Sequence, residues 1–122
     1  MKIQILKENL TKAIQMVSKF ASTKAQLPVL GHLAIEANDK GIFVTATNLD
    51  MGIKLRVAGK IVKTGEVVVP AKIMSDLVQS LPLGGVDLET EDDNGLVVKA
   101  QRTRAKLQAI NFKEYPQFPN QP

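Results

Sequence analysis

The sequence predicts an α+β domain made of two copies of a β-α-β-β-β unit, with two helices on one face of antiparallel sheets. Residues 31–58 and 85–110 share one order of strand, polar turn, strand, polar turn and strand, and Gly41 and Gly95 hold the same place in the first turn of each. Each triplet follows a short β-like run and an amphipathic helical pattern. Because each unit leaves an apolar face uncovered, the two units can bury these faces against each other.

The first unit begins with residues 2–6, where polar and apolar side chains alternate as in a strand. The period then changes, and the spacing of Leu10, Ala13, Ile14 and Val17 predicts a half-buried helix over residues 7–20. Strands are expected near residues 32–37, 42–47 and 53–58, and residues 59–65 are interpreted as a polar loop.

The second unit repeats this order from residue 66, with a short apolar strand over residues 66–69. Pro70 is suited to the first turn of a helix, and the helix is expected to end before Pro82. Its apolar stripe is predicted to contain Ile73, Met74, Leu77, Val78 and Leu81. Strands near residues 86–91, 96–100 and 104–109 complete a total of eight.

Composition excludes several classes of protein. The chain has no cysteine, so it carries neither disulfides nor a thiolate metal site. The sequence shows neither an apolar run long enough to span a membrane nor the layout of a signal peptide, and we expect a cytoplasmic protein without a membrane partner. The net charge of +4 is modest, but residues 99–106 carry four basic side chains and no acid. This uneven distribution favours a basic face that meets a polyanion.

No arrangement of residues predicts catalysis, a cofactor or a metal. His32 is the only histidine and has no visible acid–base partner, so we assign it a structural role. The acidic run over residues 91–95 lacks the spacing of a calcium loop and is interpreted as a solvated hairpin turn. The chain is therefore not expected to be an enzyme.

The polar faces of the two helices are the leading candidate site. At 100° per residue, the helices would present a common polar side that carries Lys12, Gln15, Lys19, Lys72 and Gln79. Lys24, in the loop after the first helix, could reach further. These residues suit an ordinary solvated surface, and they also suit contact with the phosphates of double-stranded DNA. Without interleaved aromatic residues, stacking on single-stranded bases is disfavoured.

The basic strand over residues 102–107 is a second candidate site. As the last strand of the domain, it is expected at a sheet edge. Basic residues there either discourage unwanted strand pairing or mark an edge that another chain completes.

Five segments, residues 27–37, 44–53, 67–82, 102–107 and 114–119, resemble in order and spacing the N-terminal domain of the bacterial DNA polymerase III beta subunit, the sliding-clamp family. The resemblance implies a DNA-clamp fold, with residues 1–119 as the first of three clamp domains. Residues 120–122 would then be a tail or the start of the linker to a second domain that is missing here.

The resemblance also implies a function. Two family subunits close head to tail into a homodimeric ring around duplex DNA, without sequence specificity and without catalysis. The ring is a processivity factor in DNA replication that tethers the replicative polymerase, and polymerase and clamp loader bind through the later domains. The alternative is a protein-interaction module that assembles by edge-strand addition and never contacts DNA.

Specific residues follow from the resemblance. Lys24 and Lys72 occupy positions at which the family places basic DNA contacts. The subunit interface of the family corresponds to Arg102, Arg104, Ala105, Lys106 and Leu107. Ala105 stands where the family usually has phenylalanine, which implies a weaker ring closure.

Overall fold

A computed structural model describes residues 1–21, 31–47, 51–91 and 94–110, and the α+β fold with a duplicated unit is confirmed. These ranges contain helices α1 (Lys7–Ser18) and α2 (Ala71–Ser80). They also contain nine strands: β1 (Lys2–Leu6), β2 (His32–Asn38), β3 (Gly41–Thr47), β4 (Gly52–Val57), β5 (Lys60–Lys63), β6 (Gly65–Pro70), β7 (Gly85–Glu91), β8 (Gly95–Ala100) and β9 (Thr103–Gln108). Neither described helix has the length and apolar character needed to cross a membrane.

The strands form two antiparallel sheets, and each unit contributes one strand to the sheet of the other unit. One sheet has the order β5-β1-β7-β8-β9 and the other has the order β4-β3-β2-β6. The first strand of each unit therefore lies in the sheet of the other unit, with Ile3 opposite Leu88 and Ile35 opposite Val67. Because of this exchange, neither unit can complete its own sheet alone.

The two sheets and two helices share one apolar core. The predicted stripe of α1 is buried in full, through Leu10, Ala13, Ile14 and Val17. Met74 and Val78 of α2 are completely buried, and Leu81, just after the helix, is 2% exposed. Burial of these stripes fixes which side of each helix remains in contact with solvent.

Two details of the sequence prediction were wrong. Residues 59–65 are not a polar loop, because they contain strand β5, which raises the described strands from eight to nine. This strand pairs with β1, and Ile61 is its one partly buried residue. Its flanking lysines concealed it, as charged residues are common on edge strands. Ile73 does not belong to the apolar stripe, since its side chain is 53% exposed.

The helix ends also differ slightly from the prediction. Helix α1 ends at Ser18, and Lys19 is its C-cap residue. Pro70 lies one residue before the first turn of α2, as the N-cap and the last residue of β6. Since β6 is an edge strand, the missing N–H of Pro70 costs no ladder hydrogen bond.

Gly59 is a position at which a single methyl group should be disruptive, although its φ is not in the left-handed region. A Cβ atom there would lie 2.7 Å from the main-chain oxygen of Gln4 and 2.9 Å from Cγ1 of Ile5. Gly59→Ala should lower the free energy of unfolding by about 1–3 kcal/mol, as overpacking does in other cores. Gly85→Ala is the control, because its Cβ would meet nothing within 4 Å. Urea denaturation should separate the two variants; equal midpoints would contradict this account.

Candidate nucleic-acid interface and strand edge

The two helices lie side by side and run antiparallel. At the start of α1, the main-chain N–H of Lys7 donates a hydrogen bond to the Gly84 carbonyl, 2.8 Å away, and its Nζ donates to the Gln79 carbonyl, 3.3 Å away. Toward the other end of α1, Ser18 and Lys19 line a groove together with Ser75 of α2. The solvent sides of the helices therefore form one continuous surface.

Three of the predicted residues come together on this surface. Lys12, Gln15 and Lys19 are exposed and line the same groove, which has a volume of about 550 Å³ and borders Ser75 on α2. Two ammonium groups and an amide along one groove can donate hydrogen bonds to phosphate oxygens.

Lys72 and Gln79 are the remaining predicted residues of the helices. Lys72 is exposed in the first turn of α2, and Gln79 is exposed in its last turn. The side-chain amide of Gln79 donates to the main-chain oxygen and to Oγ of Ser75, both at 3.1 Å. Gln79 would have to release these bonds before its N–H groups could reach a phosphate. Lys24 lies outside the described residues.

Lys7 is a functional candidate that the sequence pattern did not reveal. Its ammonium group binds the last turn of α2, where unpaired carbonyl groups give the helix terminus a partial negative charge. The interaction links the start of α1 to the end of α2 and adds a cation beside Gln79. No sequence signal could indicate this contact, because the two residues are 72 positions apart.

The described face of the helix pair offers no aromatic platform for bases. Phe20, which follows α1, is partly buried against the core. The exposed polar residues of the two helices are lysines, amides and hydroxyls, with the acids Glu8 and Asp76 among them, and the hydrogen-bond donors suit the phosphate backbone rather than base edges.

Strand β9 lies at the end of its sheet, as predicted, and pairs only with β8 in the part of the chain that the structure describes. Arg104 and Lys106 are exposed on its outer side, and Arg102 is exposed in the preceding turn. Lys106 forms an ion pair with Glu91, with 3.1 Å between Nζ and Oε1. The edge is therefore strongly basic, although one of its cations already has an acidic partner.

The inner side of β9 belongs partly to the core. Ala105 is partly buried beside Val98, and Leu107 is only 8% exposed and packs in the apolar core. Leu107 can thus offer a partner its main chain but little of its side chain. Ala105 is more accessible than Leu107 on this side of the strand.

The sites rejected from sequence have ordinary structural surroundings. His32 begins β2, is partly buried and lies opposite Pro70. Glu91 and Gly95 face each other across the β7–β8 hairpin, as expected of a turn, although residues 92 and 93 lie outside the described part. Among the described residues, no group of three or more histidine, aspartate or glutamate side chains is placed to hold a metal ion.

Residues 1–119 match the family model described as "DNA polymerase III beta subunit, N-terminal domain". The chain belongs to this family. Two curated relatives are the beta sliding clamp of Bacillus subtilis, 26% identical over 98% of this chain and 34% of the relative, and that of Helicobacter pylori strain J99, 28% identical over 98% and 32%. The chain thus spans about a third of the length of these beta-subunit relatives.

Solved structures of the beta-subunit family share the whole fold. A DNA polymerase III beta subunit from Eubacterium rectale superposes with a TM-score of 0.95 at 26% identity, covering 100% of this chain and 33% of the other. A Helicobacter pylori beta clamp bound to a DNA ligase peptide gives a TM-score of 0.88 at 27% identity, covering 98% and 33%. The family membership and the fold predicted from the sequence are therefore confirmed.

Proposed function

We propose that this chain is one domain of a ring-shaped sliding clamp, a non-catalytic processivity factor that encircles duplex DNA in the bacterial cytoplasm. The observation that carries the proposal is the continuous surface of α1 and α2, with Lys12, Gln15 and Lys19 along one groove. Membership of the beta-subunit family supports it. The ring would tether the replicative polymerase, which, like the clamp loader, would bind through domains outside this chain.

Contact with DNA would be electrostatic and independent of base sequence. The exposed lysines of the helix pair would neutralise phosphates and release counterions, so affinity would fall as the salt concentration rises. Lys24 and Lys72 would add cations to the same side, and Gln15 and Gln79 would add amide donors. Such contacts hold a ring close to the duplex without fixing it at one site.

The ring would close through β9 of one subunit and a strand of a second subunit. Main-chain groups on a sheet edge can pair with another strand, and Arg102 and Arg104 would meet acidic side chains there. The same edge also supports the alternative function, a module that assembles by strand addition and never contacts DNA. The two functions make different demands on the lysines of α1 and α2, because only the clamp function requires them for DNA binding.

Reversing the charges of the helix surface should weaken retention of the complete clamp on DNA. The variant is Lys12→Glu, Lys19→Glu and Lys72→Glu, and the matched control is Lys40→Glu, Lys60→Glu and Lys63→Glu, which changes three exposed lysines away from the helices. Measured against salt concentration, the logarithmic slope of duplex binding should decrease by about 0.9 for each phosphate that the variant no longer neutralises. The control should keep the original slope.

Retention on closed circular duplex after loading gives the second measurement. The helix variant should leave the DNA faster than the control, while both should form rings of the same size in sedimentation. If both variants dissociate from DNA equally fast, the surface of α1 and α2 does not face the duplex and the interaction-module function is favoured. Lys24→Glu, measured alone in the same assay, tests the proposed DNA contact of Lys24.

A further inference from the structure

The solvent side of the two helices carries acids as well as lysines. Glu8 on α1 and Asp76 on α2 are the acidic residues of these helices, and both are exposed. They lie among three exposed lysines, Lys12, Lys19 and Lys72. The surface proposed for DNA is therefore less positive than its lysines alone would make it.

The duplication gives the two helices the same charged positions with the signs exchanged. The second residue after the N-cap is Glu8 in α1 and Lys72 in α2. The sixth residue after the N-cap is Lys12 in α1 and Asp76 in α2. Each helix thus has one acid and one lysine separated by a single turn, so an acid on the solvent side is a property of both units.

Asp76 projects directly away from the core. It lies midway in sequence between Met74 and Val78, which are completely buried. A step of two residues along a helix turns the side chain by about 200°, so Asp76 points to solvent on the side opposite the core. A phosphate that reached Lys72, one turn away, would also come close to this carboxylate.

The positive charge is concentrated toward one end of the helix pair. Lys19 is the C-cap residue of α1 and Lys72 is in the first turn of α2, and the antiparallel arrangement brings these two termini to the same end. Glu8 lies at the other end, next to Lys7, whose ammonium group binds the Gln79 carbonyl. A duplex along the whole surface would therefore be attracted at one end and repelled at the other.

Neither acid has an ionic partner. Glu8 and Asp76 form no ion pair with any residue that the structure describes. Ion pairs between residues one turn apart on an exposed helix are weak, because water and salt compete with them. Lys12 and Lys72 are therefore available to phosphates, while the unpaired carboxylates beside them repel the same phosphates.

We propose that Glu8 and Asp76 limit the affinity of the helix surface for duplex DNA and so keep a closed ring mobile along the duplex. This proposal rests on the proposed clamp function. Each carboxylate competes with phosphate for the ammonium group one turn away and repels the DNA backbone. With lysines alone, the surface would hold each phosphate longer, and every step along the duplex would break stronger contacts.

Neutralising the two acids in the complete clamp tests the proposal. Glu8→Gln with Asp76→Asn should tighten binding to a short duplex by about threefold to tenfold at low salt, and the gain should disappear at high salt. The loaded ring should also diffuse more slowly along the duplex. The matched control is Asp39→Asn with Glu66→Gln, which removes two exposed acids outside the helices.

Three results would overturn the proposal. The first is parental affinity and diffusion in the helix variant, and the second is an equal gain in the control, which would show an effect of net charge alone. The third is tighter binding with unchanged diffusion, because mobility is the property that the acids are proposed to preserve.

Comparison with the variant Lys12→Glu, Lys19→Glu and Lys72→Glu separates this proposal from the clamp function on which it rests. If the lysine variant leaves DNA faster while Glu8→Gln with Asp76→Asn behaves like the parent, the clamp function stands and the acids do not limit affinity. If neither variant changes binding to DNA or retention on it, the helix surface does not face the duplex, and both the function and this inference are wrong.

Discussion

Replacing Ile3 by alanine should lower the free energy of unfolding by about 2–5 kcal/mol, because the variant loses the transfer free energy of the removed atoms and leaves a cavity in the core. Ile3, the second residue of β1, is completely buried. Its neighbours are Leu88 on β7 and Ile61 on β5, so one side chain connects the strand of the first unit with the sheet of the second. The substitution therefore weakens the exchange that holds the two units together.

Urea denaturation at 25 °C measures this decrease, and Ile3→Val keeps the test interpretable if the alanine variant does not fold. The valine variant should be less stable by about 0.5–1.5 kcal/mol. Gln4→Ala, at the adjacent exposed position of β1, should change stability by less than about 0.5 kcal/mol. An alanine variant as stable as the parent would mean that β1 contributes little to the second sheet.

Replacing Ala105 by phenylalanine in the complete clamp should lower the dissociation constant between subunits by about tenfold to a hundredfold. Burying a phenylalanine side chain contributes about 1.5–3 kcal/mol when the site can accept it. Ala105 is partly buried at the edge, and the equivalent position on β4 already holds Leu55. A large side chain therefore fits this position in the fold without entering the packed core.

The dissociation constant can be measured by dilution and sedimentation of the two rings. Thr64→Phe is the control, because it places the same aromatic ring on an exposed site next to β5, at the other end of that sheet. The control should leave subunit affinity unchanged, and both variants should have nearly the unfolding energy of the parent. Equal affinity of the Ala105→Phe ring and the parent ring would show that β9 does not bury this position at the interface.

Local periodicity was sufficient to locate both helices and eight strands. The helical spacing of Leu10, Ala13, Ile14 and Val17 can be satisfied only by burying one side of a helix, and all four residues are buried. Strand β5 was missed because its four residues place Ile61 and Val62 side by side between two lysines, which gives no alternation of apolar and polar side chains. Ile73 was placed in the core because hydrophobicity alone does not reveal how far a neighbouring element covers a helix face.

The candidate sites were predictable to different extents. The helical period places Lys12, Gln15 and Lys19 on one side, and the structure brings them to one groove. The contact of Lys7 with the end of α2 and the bonds of Gln79 to Ser75 depend on packing and rotamers. The correspondence between Leu55 on β4 and Ala105 on β9, which lie opposite Val44 and Val98, became visible only through the strand register.

The sequence alone determined the α+β class, the duplication and the family, because these depend on the order and period of apolar residues along the chain. The tertiary structure decided that each unit contributes its first strand to the other unit and that, among the described strands, the basic strand β9 stands at the edge of its sheet. Strand pairing joins residues far apart in sequence, such as Ile3 and Leu88, and its energy depends on how two distant faces fit together. No local pattern contains that fit.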